Sequence, residues 1–144
     1  MKINYFRLYC LAGLLMCPLV AAAQVAVTVS QPKVTGQKAV VELTLKNNLT
    51  NGVQSARAIC LLLDEQGKMV GQSTKWVIGQ NKKVLEANGE AKFNFVITSP
   101  QPLVSSNLTA KVMFSKVNLD NGKMADVRQV VQVMPASSDN KSKP

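Results

Sequence analysis

Alternation of apolar and polar residues, repeated in one short segment after another, is the feature that most constrains the fold of this chain. In the segment VVELTLKNN, the apolar residues Val41, Leu43 and Leu45 alternate with polar ones. A two-residue period places successive side chains on opposite faces of a β-strand. Six further segments are also rich in apolar residues, most with this period: Val25–Val29, Ser55–Leu63, Met69–Ile78, Phe93–Ile97, Leu108–Ser115 and Asp126–Val133. The sequence therefore predicts seven strands.

Residues typical of turns stand between these segments. Asp64 and Gly67 fit a hairpin in which the Asp side chain caps the backbone and Gly supplies a positive φ. The other breaks are Pro32 and Gly36, Asn47 to Gly52, Asn88-Gly89, Pro100 to Pro102, and Asp120 to Gly122. Short alternating strands with turns at this spacing predict an all-β fold, an antiparallel immunoglobulin-like β-sandwich.

The first 23 residues have the layout of a secretory signal peptide. Lys2 and Arg7 supply a positive start, Leu8 to Val20 form an apolar run, and Ala21 to Ala23 supply the small residues of a cleavage site. The apolar run is shorter than the roughly 20 residues of a membrane span. The segment 1–23 therefore predicts export, to the periplasm or outside the cell, without stable membrane insertion after cleavage.

A lipoprotein anchor on Cys17 is the alternative to simple cleavage. Such an anchor needs a small residue before the cysteine, and Met16 stands there. Cleavage after Ala23 is therefore the favoured interpretation. It leaves a domain predicted at 24–134 and a polar segment, 135–144, predicted to be a disordered tail.

Charge and residue types argue against several functions. The chain has 17 basic and 8 acidic residues, and loss of Lys2 and Arg7 with the signal peptide lowers the net charge from +9 to +7. The remaining basic residues are spread singly, apart from Lys82-Lys83, and few aromatic residues accompany them. Proteins that bind nucleic acids usually cluster their charge and add stacking rings. We therefore expect no nucleic-acid partner.

Catalytic and metal-binding patterns are missing from the sequence. The chain has no histidine, which removes the commonest general base and metal ligand. Cys60 lies inside an apolar run, where a thiol usually acts as a small apolar side chain; a disulfide between two chains is the alternative. The pair Asp64-Glu65 is best explained by the hairpin turn. The sequence predicts no catalytic residue, cofactor or metal, and hence a protein that is not an enzyme.

Trp76 is the one aromatic residue that could contact a ligand. A carbohydrate-binding surface usually presents exposed rings, and Phe93, Phe95 and Phe114 alternate with polar residues as core side chains do. Trp76 also shares the two-residue period of Val70 and Ile78, which favours a core position over an exposed one. Ligand contact through Trp76 remains the alternative.

Several motifs together resemble the immunoglobulin-like sandwich domain of family 2 glycoside hydrolases. They are a strand ending in Asn47, the Asp64-x-x-Gly67 hairpin, the turn at Gly89, the Pro102-Leu103 segment and the turn at Gly122. The sequence departs from that family at Val104, where tryptophan is usual. The family's catalytic residues lie on a separate barrel domain, so the resemblance implies a non-catalytic module that accompanies carbohydrate-processing machinery.

A second resemblance, to FxLYD-type bacterial export domains, rests on Leu62, Leu63 and Asp64, with Cys60 at the Phe position. The sequence thus predicts an exported, non-catalytic interaction or accessory module. Its expected partner is another protein of the envelope or secreted fraction. A carbohydrate-binding module using Trp76 is the alternative.

Overall fold

The computed structural model describes residues 24–81, 83–104 and 107–135. The predicted signal peptide and residues 136–144 of the predicted tail lie outside these ranges. Within them the chain forms eight strands and one short helix: β1 Val25–Val29, β2 Lys33–Thr35, β3 Lys38–Asn47, β4 Val53–Leu63, β5 Met69–Ile78, β6 Glu90–Thr98, β7 Thr109–Leu119, α1 Val127–Val130 and β8 Val131–Pro135.

The larger sheet is built around β3. On one side β3 pairs with β6. On its other side the start of β3 pairs with β2 and the end of β3 pairs with β1, and all three pairings are antiparallel. Strand β8 extends the sheet by pairing with β1 in parallel. This parallel pair is the one departure, within the described residues, from the predicted antiparallel arrangement.

The smaller sheet has β4 at its centre, with β5 and β7 as antiparallel neighbours. The predicted hairpin at Asp64 joins β4 to β5. The two sheets enclose one apolar core: Val27, Val41, Leu43, Phe95 and Ile97 from the larger sheet, and Ala58, Cys60 and Leu62 from the smaller one, are all fully buried. The prediction of an all-β sandwich is confirmed.

Two strand predictions need correction. Strand β2 was not predicted, because its three residues are too few to show a period. The strand predicted at Asp126–Val133 begins instead with α1, because the Asp126 side chain accepts a hydrogen bond from the Arg128 backbone N–H at 3.0 Å and caps a helical turn. Strand β8 then extends to Pro135, which the sequence had assigned to the tail. Within the described residues, no helix is long and apolar enough to cross a membrane.

Candidate functional site

The outer edge of β6 presents backbone hydrogen-bonding groups. In an antiparallel ladder, every second residue exchanges both backbone bonds with its neighbour, and the residues between point away. Ser99 N–H donates to Gln37 O at 2.8 Å and Asn47 N–H donates to Gly89 O at 2.9 Å, one contact beyond each end of the β6–β3 ladder. The odd-numbered residues of β6 therefore bond to β3. The even-numbered residues direct their backbone N–H and C=O groups toward the outer edge.

Three consecutive even-numbered residues of this edge are Lys92, Asn94 and Val96. Their side chains are exposed, and Val96 is 52% exposed although it is apolar. Among the described strands, β3 alone pairs with β6. The register with β3 runs through nine consecutive pairs without a bulge, from Lys38↔Thr98 to Lys46↔Glu90. We call the backbone of Lys92, Asn94 and Val96 the β6 edge.

Strand β5 lies next to the β6 edge in the opposite sheet and is irregular. Its register with β4 shifts twice, between Leu62 and Leu63 and between Ala56 and Arg57. At the second shift Val77 is the extra residue, since Trp76 pairs with Arg57 and Ile78 pairs with Ala56. A bulge of this kind reverses the alternation of faces.

This bulge corrects the expected position of Trp76. Paired residues share a face of the sheet, so Ile78 faces the core with Ala56, whereas Trp76 faces outward with the exposed Arg57. Ile78 is 2% exposed, and Trp76 is half-buried. The interpretation of Trp76 as a core residue in phase with Ile78 is therefore wrong, because it assumed an unbroken period.

An open depression of about 410 Å³ lies between the two edge strands. Six residues line it: Lys75 and Trp76 of β5, Gln80 of the following loop, and Phe93, Asn94 and Val96 of β6. The Phe93 ring packs edge-on against the buried Phe95, with centroids 5.1 Å apart, which fixes this wall to the core. We call this depression the Trp76 cleft.

The segment that leaves β5 beside the Trp76 cleft has an uncommon backbone. Gly79, Gln80 and Asn81 have consecutive positive φ angles of +86°, +46° and +74°. Glycine is required at 79, because a Cβ there would lie 2.8 Å from the Cβ of Ser55. Gln80 carries a Cβ, and a residue other than glycine that is held at positive φ costs about 1–3 kcal/mol of folding free energy. Backbone strain of this kind is typical of functional positions.

Asn47 holds the loop between β5 and β6 in place. Its side chain is fully buried, and Nδ2 donates to the carbonyl oxygens of Asn51 at 2.9 Å and of Leu85 and Glu86 at 3.1 Å. Oδ1 accepts from the Leu49 N–H at 3.0 Å. One side chain thus connects two loops to the end of β3.

The acidic pair singled out by the sequence forms a turn. Asp64 Oδ1 accepts from the backbone N–H groups of Gln66 and Lys68, both at 2.9 Å, and Gly67 has a φ of +76°. A smaller depression of about 220 Å³ lies beside this hairpin and is lined in part by Asp64 and Leu103. Because the Asp64 carboxylate already serves the turn, the hairpin prediction explains this pair.

Cys60 is fully buried on the core face of β4, where it pairs in register with Ser73 of β5 and Val112 of β7. Burial raises the pKa of its thiol to about 11. A buried, protonated thiol is a poor nucleophile and does not reach a second chain. The structure therefore favours the apolar role of Cys60 over the disulfide between chains.

The smaller sheet is basic. Its three strands carry Arg57, Lys75, Lys111 and Lys116 and no acidic residue, whereas β3 and β6 mix both charges. Within the described ranges, no group of three His, Cys, Asp or Glu side chains could hold a metal ion. Among the described residues that line the Trp76 cleft, Lys75 is the one charged residue, and it lies beside aromatic rings and side-chain amides.

Sequence reasoning identified Trp76 but missed Gln80, Asn94 and Val96. Alternation does predict that Asn94 and Val96 face outward, and this is correct. It does not say which strand has an unpaired edge, because strand order depends on contacts between distant segments. No local signal would have identified Gln80.

No protein-family model and no curated protein matches the chain. The resemblances to family 2 glycoside hydrolases and to FxLYD-type domains therefore stay predictions. Among solved structures, the chain is similar to that of IrmA from Escherichia coli, with a TM-score of 0.47 and 11% sequence identity over 80% of this chain and 92% of that one. A similarity this low supports no conclusion about what the chain binds.

Proposed function

We propose that this chain is an exported, non-catalytic binding module that takes up an extended segment of a partner protein as an additional strand on the β6 edge. The observation that carries the proposal is the regular, unbulged register of β6 beside an open cleft. An unpaired edge of this kind is a template for another strand, and native proteins usually block it with bulges, prolines or covering elements. The signal-peptide pattern at 1–23 supports export, and the partner is then a protein of the envelope or secreted fraction.

The β6 edge offers enough hydrogen bonds for such an addition. From Lys92 to Val96 it spans about 13 Å, since a strand rises roughly 3.3 Å per residue. In strand addition the main-chain hydrogen bonds supply affinity and the side chains supply specificity. The edge of β5 is a poorer template, because its two bulges disturb the spacing of its backbone groups.

Site-specific photo-crosslinking in the cell that produces the full chain tests this proposal. A photoreactive residue replaces Asn94 on the β6 edge, and a matched one replaces the exposed Thr28 of β1. We expect a protein adduct from position 94 and none from position 28. Because the Val96 N–H points away from β3, Val96→Pro removes one donor of the edge while leaving the β3 ladder intact.

The adduct from position 94 should disappear in the Val96→Pro variant and persist in Val96→Thr, which keeps the N–H. Circular dichroism of both variants checks that the sandwich is folded. An adduct that survives Val96→Pro in a folded protein would contradict strand addition. So would turnover of a substrate by a protein that yields no adduct at position 94.

A carbohydrate ligand is the second candidate, and the outward position of Trp76 favours it. A half-buried indole beside the amides of Gln80 and Asn94 can stack on a sugar ring and bond to its hydroxyls. Glycan-array binding that is lost in Trp76→Ala supports this function. Glycan binding that persists in Trp76→Ala refutes it at this site.

A further inference from the structure

We propose that the segment bound at the β6 edge carries an apolar side chain and an acidic side chain two positions apart, both entering the Trp76 cleft. This inference rests on the proposed strand addition and names the chemistry of the ligand. Apolar contact comes from Phe93 and Trp76, and the acidic side chain pairs with Lys75.

The geometry of an added strand gives the two-residue spacing. Its side chains alternate between the outer surface of the larger sheet, beside Asn94 and Val96, and the inner side, beside Phe93. On the inner side they meet the Trp76 cleft. Side chains i and i+2 of the ligand therefore enter the cleft together, and its volume of about 410 Å³ has room for two.

Lys75 gives the preference for an acidic residue. It pairs in register with the buried Ala58, so its side chain leaves β5 on the inner face of the sheet and passes into the cleft at the sandwich edge. None of the six described residues that line the cleft is acidic. Arg57, in register with Trp76, adds a second positive charge nearby. A carboxylate is the complementary group.

The ring pair gives the preference for an apolar residue. Phe93 is half-buried and held edge-on to Phe95, and the half-buried Trp76 forms part of the opposite wall. An apolar side chain placed between them would remove both rings from water. A neutral glycan would use the same rings but would form no ion pair with Lys75, so the basic residue favours an acidic ligand over a neutral glycan.

Selection from a random decapeptide display library on the immobilised full chain tests the inference. We expect selected peptides to contain an apolar residue and Asp or Glu at i and i+2. For a selected peptide, Lys75→Glu should weaken binding by at least about tenfold and improve binding of the version with Lys at the acidic position. Lys111→Glu, an exposed change of the same charge on β7 and outside the cleft, is the matched control and should change affinity less than threefold (by about 0.6 kcal/mol or less).

The outcomes separate this inference from the proposed function. Peptides whose binding depends on the Val96 N–H but not on the charge at position 75 would overturn the inference and leave strand addition standing. Peptides insensitive to both Val96→Pro and Lys75→Glu would overturn both. Failure to select any peptide, together with glycan binding that requires Trp76, would also overturn both and establish the carbohydrate function.

Discussion

Strands β5 and β6 face each other across the open side of the sandwich, and their outer edges differ in regularity. β5 has ten residues and two bulges in its pairing with β4. β6 has nine residues and no bulge in its pairing with β3. The first edge is distorted, which hinders pairing with another chain, and the second keeps the regular spacing that such pairing needs.

The two strands also differ in what they contribute to the core. The inward residues of β6 include Phe95 and Ile97, both fully buried. The inward residues of β5 include Gly71, Ser73 and Lys75, which contribute little apolar surface, and its buried apolar residues stand at its end, Val77 and Ile78. β6 is therefore anchored by buried rings and aliphatic side chains from its middle to its end, whereas β5 has its buried side chains only at its end. A regular edge on a firmly held strand keeps its backbone groups in place and is the better template for an additional strand.

Replacing the main aromatic residue of each strand tests this difference in anchoring. Phe95→Ala should lower the free energy of unfolding by about 3–5 kcal/mol, because it opens a cavity in the shared core. Trp76→Ala removes a larger side chain but only a half-buried, outward-facing one, and should cost about 1 kcal/mol. Urea unfolding of both variants measures the two values. Equal costs would contradict the assignment of Trp76 to the outside of the core.

Asn47→Ala tests whether the Asn47 side chain anchors the loop between the strands. The change leaves three carbonyl oxygens, those of Asn51, Leu85 and Glu86, without their shared donor, and should cost about 3 kcal/mol. Chemical unfolding gives the value. The neighbouring Asn48 is exposed, so Asn48→Ala is the matched control and should change stability by less than about 0.5 kcal/mol. A comparable loss in both variants would show that the buried amide is not the anchor.

The same two strands show how far sequence reasoning reaches. For β6, alternation predicts a strand with Phe95 and Ile97 on one face, and the structure agrees, because the strand is unbroken and its core face is strongly apolar. For β5 the strand bounds, Met69 to Ile78, are also correct. The face of Trp76 is not, because a single extra residue at Val77 reverses the alternation and no local residue type announces it.

The position of the candidate site needed information that no local pattern holds. The β6 edge exists because β3 takes one side of β6 and no described strand takes the other, and that order depends on contacts between distant parts of the chain. The Trp76 cleft needs, in addition, the bulge in β5 and the positive φ angles from Gly79 to Asn81. The cap at Asp126 is different, since an Asp before a short helical turn is a known start signal and could have been recognised.

Gly71→Ala probes the place where the two strands touch. A Cβ at position 71 would lie 2.7 Å from Cγ2 of Ile97, so either β5 or the buried Ile97 must shift. We expect a loss of about 1–3 kcal/mol, typical of overpacking. A double-mutant cycle with Ile97→Ala, which removes that methyl group, should recover part of the loss. Purely additive costs would place the strain elsewhere than between β5 and β6.

The Cys60 thiol tests whether the core between the two sheets is closed to water, and the effect expected here is the smallest. Burial raises the pKa of its thiol to about 11 from an ordinary value of 9.0, so the folded chain keeps the proton after the unfolded chain has lost it. This contribution to stability is fully present below about pH 9 and is lost as pH rises toward about 11.

At pH 10 the loss amounts to about 1 kcal/mol relative to neutral pH. Urea unfolding of the wild type and of Cys60→Ala, each at neutral pH and at pH 10, isolates the contribution of the thiol. The titration of the lysines is common to both proteins and cancels in the difference. The stability difference between them should narrow at the higher pH. A constant difference would mean that the thiol reaches water in the folded state, and hence that the core between the two sheets is not closed at β4.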